Sequence, residues 1–536
     1  MPSQYPTIML PHSRGLNSED DITRLPSGDL NIATNIFVNE DGSIERIDGY
    51  TDIVSSDFGT SNYAISAYEM ERWDGSLEVF VIYNTVLKKI EAVLPDSWST
   101  RSVHTGLSAW KRMGYASYND RLYCGNGFDA NRYLVPVYRH YSNDTALATA
   151  DCTNTADGIV LAEAIRADYT AHISSTVFHN AADGTNTIAA ATATDLASLI
   201  VLANEERTDI NTHRSQSGVH PSNDSYHEIE HAASTSAGDV VTLLNQIKLC
   251  YNQHITDSRA LQWGITAPVT AMTVAQTAGA GLSSGTYLYA LTFYNPIDGV
   301  ESPPSPSATV TIASAEKRIL ITAISKSTDA QSDQKRIYRT VVGGATYYRV
   351  TTISNVTTTY TDLVTDASLG TVLPTSDYTS IPNTSIFLLF NDRVYMAGNL
   401  TDPYRLYFSE ALYPHYYNEA TNYFDFDVAI TALSKTPNGV VVFERTKLWF
   451  LAGTNPYNFS RIQISNTVGC TNPYGVCSVE GSIVFISDYG VFVFDGTNVT
   501  MLSKKINKAL LGKNIDNAAL EYDAFNRRLY VTVASI

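Results

Sequence analysis

The sequence predicts a mainly β protein: a β-propeller interrupted midway by an α-helical repeat and then by a β-sandwich. Three observations carry this. Tyrosine is abundant, 34 residues among many Thr and Val, and aromatic and β-branched side chains suit pleated, half-buried faces. Strand–turn–strand segments of similar wording recur on both sides of the chain's middle. Between them, helix-like stretches repeat at an interval of 41 residues, marked by His172, His213 and His254.

At 536 residues the chain is long for one core, and about 150 residues per domain suggests three or four units. The net charge is −18 and no Lys/Arg cluster interrupts it, so the basic footprint of a tight nucleic-acid binder is missing. An acidic wall is compatible with DNA that must slide past without sticking. The start, Met1 to Arg14, has no basic segment followed by an apolar core, so no secretory signal is expected. No stretch approaches a membrane span. Five cysteines without CxxC spacing disfavour a disulfide framework or zinc ribbon and fit synthesis in a reducing compartment.

Residues 1–142 form the first part of the expected propeller. Asp74-Gly75 precedes the strand-like Leu77–Tyr83, and Asn119-Asp120 precedes Arg121-Leu122-Tyr123. Residues 143–259 carry the repeat. Leu161, Leu202 and Leu243 superimpose, as do Tyr169, Ile210 and Tyr251, and the spacing Leu161, Ile165, Tyr169 is that of one helix face, which predicts three helices. Asx-rich joints at 180–187 and 221–226 should stop them, and Asp195 and Asp239 stand where a following helix welcomes negative charge. Residues 262–375 alternate cleanly in Thr286–Tyr294, turn at 295–299, and offer further strands at Ala308–Ile312, Arg336–Arg339, Tyr347–Ile353 and Thr357–Asp362. Prolines between strands fit a sandwich with protected edges. Residues 376–536 return to the first grammar: Asn391-Asp-Arg-Val-Tyr395 echoes Asn119-Asp-Arg-Leu-Tyr123, and Asn526-Arg-Arg-Leu-Tyr530 echoes both. The runs Asn438–Phe450 and Glu480–Phe492 match in length and wording, which is blade-like hairpin chemistry. A strand near Ile44–Ile53 is expected to close the last blade.

Few constellations carry chemistry. His227-Glu228-Ile229-Glu230-His231 formally matches HExxH, a zincin motif, yet a shift of 41 residues puts Asn186–Ala190 in the same place, and the segment lies in a connector. The units His172-x6-His179-x3-Asp183 and His213-x6-His220-x3-Asp224 form a candidate metal-ligand set, since imidazoles and a carboxylate from a helix end and its loop can converge on one ion. His254 is followed by nothing comparable. The reading preferred from sequence is that these histidines cap helix C-termini and pair with the aspartates, so no cofactor is expected beyond such a structural ion. Asp425 and Asp427 could serve a glycosidase, but on a strand they share one face and read better as turn anchors. Tyr404, Tyr413, Tyr416 and Tyr417 could stack sugars or bases, or fill a subunit interface, and with no basic residues clustered among them the interface is the preferred reading.

The segments Arg14-Gly-Leu-Asn17, Leu25–Leu30, Ala33-Thr-Asn35, Asp41–Arg46 and Asp48-Gly-Tyr50, followed by Asn391–Gly398, Asp402–Ser409, Ile430–Leu433, Gly439–Phe443 and Leu448–Phe450, resemble bacteriophage tail nozzle and tail-hub proteins. Residues 262–375 resemble fibronectin type III-like modules of phage and bacterial surface proteins, and the histidine repeat resembles helical insertions of phage virion proteins. The nozzle resemblance is patchy and covers somewhat over half of the chain. It implies a non-enzymatic virion protein of the tail, made in the host cytoplasm. It further implies a homo-oligomeric, sixfold ring beneath the portal or head–tail adaptor, carrying fibres or spikes, with genomic DNA passing through its lumen without specific binding. Asp425, Asp427 and Asp488 are the acidic lumen candidates. The rival expectation is a peripheral receptor- or glycan-binding propeller using Tyr404, Tyr413, Tyr416 and Tyr417; a weaker one is an enzyme built on His227, Glu228 and His231.

Overall fold

A computed structural model describes residues 65–535, apart from 74, 95–96, 136–138, 141–143, 221, 225–226, 257–259, 314–316, 330, 375–380, 419, 455–457, 511–512 and 525–526, together with the antiparallel strand pair Ile36–Val38 and Ile44–Arg46. The protein is mainly β, with several antiparallel sheets and few helices. It divides into two compact units, one holding Met1–Ser56, Thr384–Phe408 and Asn422–Ile536, the other Asp57–Asn383 and Ser409–Thr421.

In the first unit, three four-stranded sheets follow one another, each with its strands in chain order. They are Ile386–Phe390, Arg393–Ala397, Arg405–Phe408 and Tyr423–Asp425; Ile430–Thr436, Gly439–Glu444, Leu448–Ala452 and Ser460–Ser465; and Val476–Val479, Ser482–Ser487, Gly490–Phe494 and Val499–Met501. A hairpin, Lys513–Asp523 with Arg528–Ser535, ends the chain. Gly439–Glu444 is buried on both faces, which explains its unbroken run of apolar residues rather than an alternation. Val440 and Val442 pack with Leu406 and Phe408 of the sheet before, whereas Val441 and Phe443 pack with Ile483 and Phe485 of the sheet after. Val484, Ile486 and Val491 then face Ala518 and Leu520 of the last hairpin. The sheets therefore stack face to face in sequence order.

The second unit begins with the same kind of sheet, Ser66–Glu71, Leu77–Tyr83, Val86–Leu94 and Ser97–His104. Its next sheet is Gly114–Tyr118, Arg121–Gly125, Arg132–Leu134 and Ala260–Gln262, the last strand pairing antiparallel to Arg132–Leu134. Phe80, Ile82 and Leu87 of one share a core with Leu122, Cys124 and Leu134 of the other. The residues between the third and fourth strands carry the three long helices. The echoed Asn-Asp-Arg segments are two-residue hairpin turns: Asn119 and Asp120 have φ of 48° and 58°, and Asn391 and Asp392 47° and 56°. Positive φ at both central residues matches the right-handed strand twist, and Asn and Asp tolerate it best after Gly. In the third copy Arg527 has φ 52° and Asn526 lies outside the described residues.

Beyond Ala260–Gln262, Thr273–Leu282, Lys317–Thr322 and Tyr360–Asp362 form one antiparallel sheet. Val300–Glu301, Gly285–Asn295, Gln334–Thr340 and Tyr347–Ser354 form another, with Ala308–Ile312 also paired to Gly285–Asn295. Leu282, Ile319 and Ile321 from the first sheet share a core with Tyr289, Leu291 and Ile337 from the second. Within that core Arg339 donates to Asp362 at 3.0 Å, and the Tyr289 hydroxyl donates to the same carboxylate at 2.7 Å.

Of the N-terminal segments quoted above, only Ile44–Arg46 is described; it pairs with Ile36–Val38, and the final hairpin has two strands among the described residues. No helix among the described residues is long and apolar enough to cross a membrane.

Candidate metal centre

The three helices are α1 (Thr155–Ile173), α2 (Leu196–Ser215) and α3 (Ala237–Ile255). Their starts are chemically specified. Asn154 accepts from the backbone of Ala156 and Asp157, and Asp195 forms a reciprocal capping box with Ser198. Leu161, Tyr169, Leu202, Ile210, Leu243 and Tyr251 meet in one buried core, so the superimposed apolar positions are the packing faces.

The connections between helices close on themselves. The entry residues Cys152, Ala193 and Ser234 stand 41 apart, and each is held by a side chain from the helix preceding it around the bundle. Asn245 of α3 bonds both backbone groups of Cys152, Glu163 of α1 accepts from Ala193 N–H, and Asn204 of α2 bonds both backbone groups of Ser234. The bundle thus has a pseudo-threefold axis.

At one end of that axis six histidines converge: His172, His213 and His254 from the helix C-termini, and His140, His179 and His220 from the loops. All are buried. The His140 ring lies 5.2, 5.1, 5.1 and 4.5 Å from those of His172, His179, His220 and His254. His213 lies 5.5, 5.1, 4.6 and 5.5 Å from His172, His179, His220 and His254. His172 touches His179 and His254, and His220 touches His179 and His254. Ring nitrogens of His172, His213 and His254 lie within 4.8 Å of one another, as do those of His179, His213 and His220.

Each helix-end imidazole is oriented from behind. Nδ1 of His172 meets Asp144 at 3.1 Å, that of His213 meets Asp183 at 2.8 Å, and that of His254 meets Asp224 at 2.9 Å. An ionised carboxylate only accepts, so Nδ1 carries the proton and Nε2 is left with a lone pair. In the loop set, His179 Nδ1 donates to the Ser175 carbonyl at 3.0 Å, and the Gln216 carbonyl approaches His220 in the corresponding place. The Nε2 atoms of all six rings are buried without a hydrogen-bond partner. Burial first, and in most of the rings neighbouring imidazoles second, hold these histidines below their usual range: His179 to about 4, His220 to about 2, His140, His172 and His254 well below it, and His213 below it despite the opposing pull of Asp183. Asp183 is itself held low, its burial outweighed by Asn186, His213 and Thr185. Neutral imidazoles with free Nε2 lone pairs are metal-ligating forms.

The ligand set read from sequence is therefore revised. His172, His179, His213 and His220 do come together. Asp183 and Asp224 do not face the centre but stand behind His213 and His254 as orienting acceptors. His254 joins the cluster, and His140 completes it. The signal for His140 was present: His140-x3-Asp144 has the wording of His179-x3-Asp183 and His220-x3-Asp224. The repeating unit starts at the loop histidine and ends at the next helix terminus, so there are three complete copies, and the apparent truncation after His254 came from cutting the repeat in the wrong phase.

The HExxH residues are placed elsewhere. Residues 227–231 are not helical. His227 is buried between Asp224, 2.7 Å from Nδ1, and Asp333, 2.8 Å from Nε2; burial opposes its charge, but the two carboxylates prevail and raise it to about 9. His231 bonds the Ala232 carbonyl, and Glu228 faces Arg214 at 3.4 Å. The two histidines of the motif thus serve different partners.

Asp425, Asp427 and Asp488 are each ion-paired: Asp425 with Arg405 through two bonds of 2.6 and 2.9 Å, Asp427 with Lys447, and Asp488 with Arg445 through two bonds of 2.9 and 2.7 Å. The Asp425 pair ties two neighbouring strands and the other two join turns, so none of the three is free negative charge. Tyr404 is partly exposed and bonds Asp402. Tyr413 and Tyr416 stack at 5.2 Å beside a cleft of about 180 Å³ that Arg121, Asp298 and His415 also line. Tyr417 is buried, which removes it from any binding surface.

No family model matches the sequence, and no curated protein matches it. Among solved structures, a chain described as the AfRom2 CNH domain is 9% identical, with 83% of this chain and 97% of that one covered, at a TM-score of 0.17. A likeness of that order carries no argument about fold or function.

Proposed function

We propose that the protein is a structural subunit of a bacteriophage tail, of the nozzle or hub kind, whose four-stranded sheets are the blades of a propeller and whose copies assemble into a ring around a channel for genome exit. The observation that carries this reading is the serial stacking of four-stranded antiparallel sheets in chain order, with the sheets of residues 430–465 and 476–501 covered on both faces, which is how propeller blades protect their apolar faces. The nozzle-like segments of the second half coincide with strands of these sheets: Asn391–Gly398 is the turn and second strand of one, and Gly439–Phe443 with Leu448–Phe450 are the inner strands of the next. Residues 262–375 are proposed as a fibronectin type III-like module, and together with the helices it offers outer surface to the adaptor, fibres or spikes. Because Asp425, Asp427 and Asp488 are neutralised by basic partners, the negative field along the channel comes from the overall charge of −18 rather than from these three.

Electron cryomicroscopy of the assembled protein viewed down its axis is expected to show a sixfold ring with a hole of about 20 Å or more, the width duplex DNA needs. A monomer or trimer that binds host surface polysaccharide in a pull-down overturns the conduit. That outcome supports the second reading, a receptor- or glycan-binding propeller, favoured by the stacked Tyr413–Tyr416 pair at the mouth of a cleft.

A further inference from the structure

We propose that the six histidines at the end of the helical bundle hold one divalent first-row transition-metal ion in octahedral, all-imidazole coordination. This does not rest on the phage-tail reading, since it follows from the cluster's own geometry.

Each ring lies against all the others but one. The pairs missing from the ring contacts are His140 with His213, His172 with His220, and His179 with His254. Six points of which each has a single non-neighbour are the vertices of an octahedron, and the three missing pairs are its diagonals. Every diagonal joins a helix-end histidine to a loop histidine. The helix triad and the loop triad are thus opposite faces, and the pseudo-threefold axis passes through both.

The chemistry of the donors narrows the occupant. Imidazole nitrogen suits Fe, Co, Ni, Cu and Zn, whereas Ca²⁺ and Mg²⁺ require oxygen. Structural zinc takes four ligands and Cu²⁺ prefers a tetragonal field, so six equivalent nitrogens point to Fe²⁺, Co²⁺ or Ni²⁺. Buried Nε2 lone pairs directed at one another, with no donor to satisfy them, are an unfavourable arrangement that a cation converts into bonds. Asp144, Asp183 and Asp224 supply the carboxylate-behind-histidine support that fixes ring orientation and raises ligand basicity. A site with six protein ligands leaves no open position for water or substrate, so its role is to clamp three chain segments together rather than to catalyse.

The test uses the full chain, purified without a histidine tag from medium supplied with Fe, Co, Ni and Zn. Elemental analysis is expected to find about one ion per chain. X-ray absorption should give a first shell of six nitrogens at about 2.1 Å, and Co²⁺-loaded protein the weak visible bands of six-coordination. Asp183→Asn, which keeps the shape behind His213, should weaken binding by roughly 10- to 100-fold. His213→Ala should weaken it at least as much, and His231→Ala, outside the cluster, should leave it unchanged. Less than about 0.2 ion per chain, or the intense bands of tetrahedral Co²⁺, overturns the proposal. So does binding indifferent to both cluster substitutions. The metal measurements on the unaltered chain decide the matter even where a variant does not fold, and ring assembly is read separately.

Discussion

Glu206 stands in α2 where α1 and α3 have Ile165 and Ile247, one repeat away on either side. It is fully buried, neither carboxyl oxygen has a hydrogen-bond partner, and burial, reinforced by Glu163, raises its pKa well above the ordinary carboxylate value. The folded protein therefore keeps this group protonated while the unfolded chain ionises near pH 4.3. A raised folded-state pKa means that the group's contribution to stability is intact below the unfolded value and is lost as pH climbs towards the folded one. Glu206→Ile is expected to stabilise the protein by about 1–4 kcal/mol at neutral pH, with a smaller gain at pH 4; urea unfolding at both pH values measures it, and an equal gain at both removes the explanation. The buried Arg339–Asp362 pair predicts the opposite sign. Arg339→Leu leaves the buried Asp362 carboxylate with only the neutral donors Tyr289 and Val364 N–H, at a cost of about 3–5 kcal/mol, and an unchanged denaturation midpoint contradicts that account. Neither effect was visible in the one-dimensional pattern. The helix-face spacing revealed Leu161, Leu202 and Leu243 because apolar side chains advertise burial, whereas a buried Glu or Arg looks like surface until its surroundings are known.

At the scale of elements, the closed bundle depends on side chains that bond the neighbouring backbone, twice for Asn204 and Asn245 and once for Glu163. Asn204 accepts from Ser234 N–H at 2.7 Å and donates to its carbonyl at 3.0 Å. Asn204→Ala leaves both backbone groups without that partner and is expected to cost about 1–3 kcal/mol, with faster amide exchange at the start of α3. Exchange that stays unchanged there rules the clamp out as a stabilising device. The strands were legible because turn chemistry is local: two adjacent Asx residues at positive φ announce a hairpin wherever they occur. The helices were legible from periodicity. The phase of their repeat was not, because the 41-residue ladder was anchored on helix ends, and the loop before α1 breaks the count: His140 and His179 are 39 apart, His179 and His220 41. The pairing of helix-end histidines with aspartates, expected from sequence, is present, whereas the arrangement of three copies about one axis emerges only when the repeat is counted from the loop histidine.

For the whole molecule, the serial sheets and the helical bundle are separate sources of order. Removal of the proposed ion should lower one thermal transition and leave unfolding of the sheets formed by residues 384–408 and 422–535 unchanged. For an ion held at a thousand times its dissociation constant, the loss is about 4 kcal/mol. Calorimetry with and without chelator measures this, and a chelator-insensitive trace argues against metal-linked folding. The mainly β character was evident from composition and turns. The order in which sheets stack was not, because facing residues such as Val441 and Phe485 are separated by a whole sheet and carry no local mark of their pairing.

The closed ring of α1, α2 and α3 has one more implication. Each unit, from loop histidine through Asp to the next helix-end histidine, gives two rings to the cluster and one support behind them. Three such units surround the axis as the subunits of a cyclic trimer do. Written in one polypeptide, the arrangement no longer depends on concentration, because every unit meets its neighbours at the high effective concentration of a tether. It also frees the copies to diverge: Ile165 could become Glu206 in one unit without imposing three buried carboxyls on the same core. In effect the bundle is a fused trimer, with the stoichiometry of its assembly fixed in the gene.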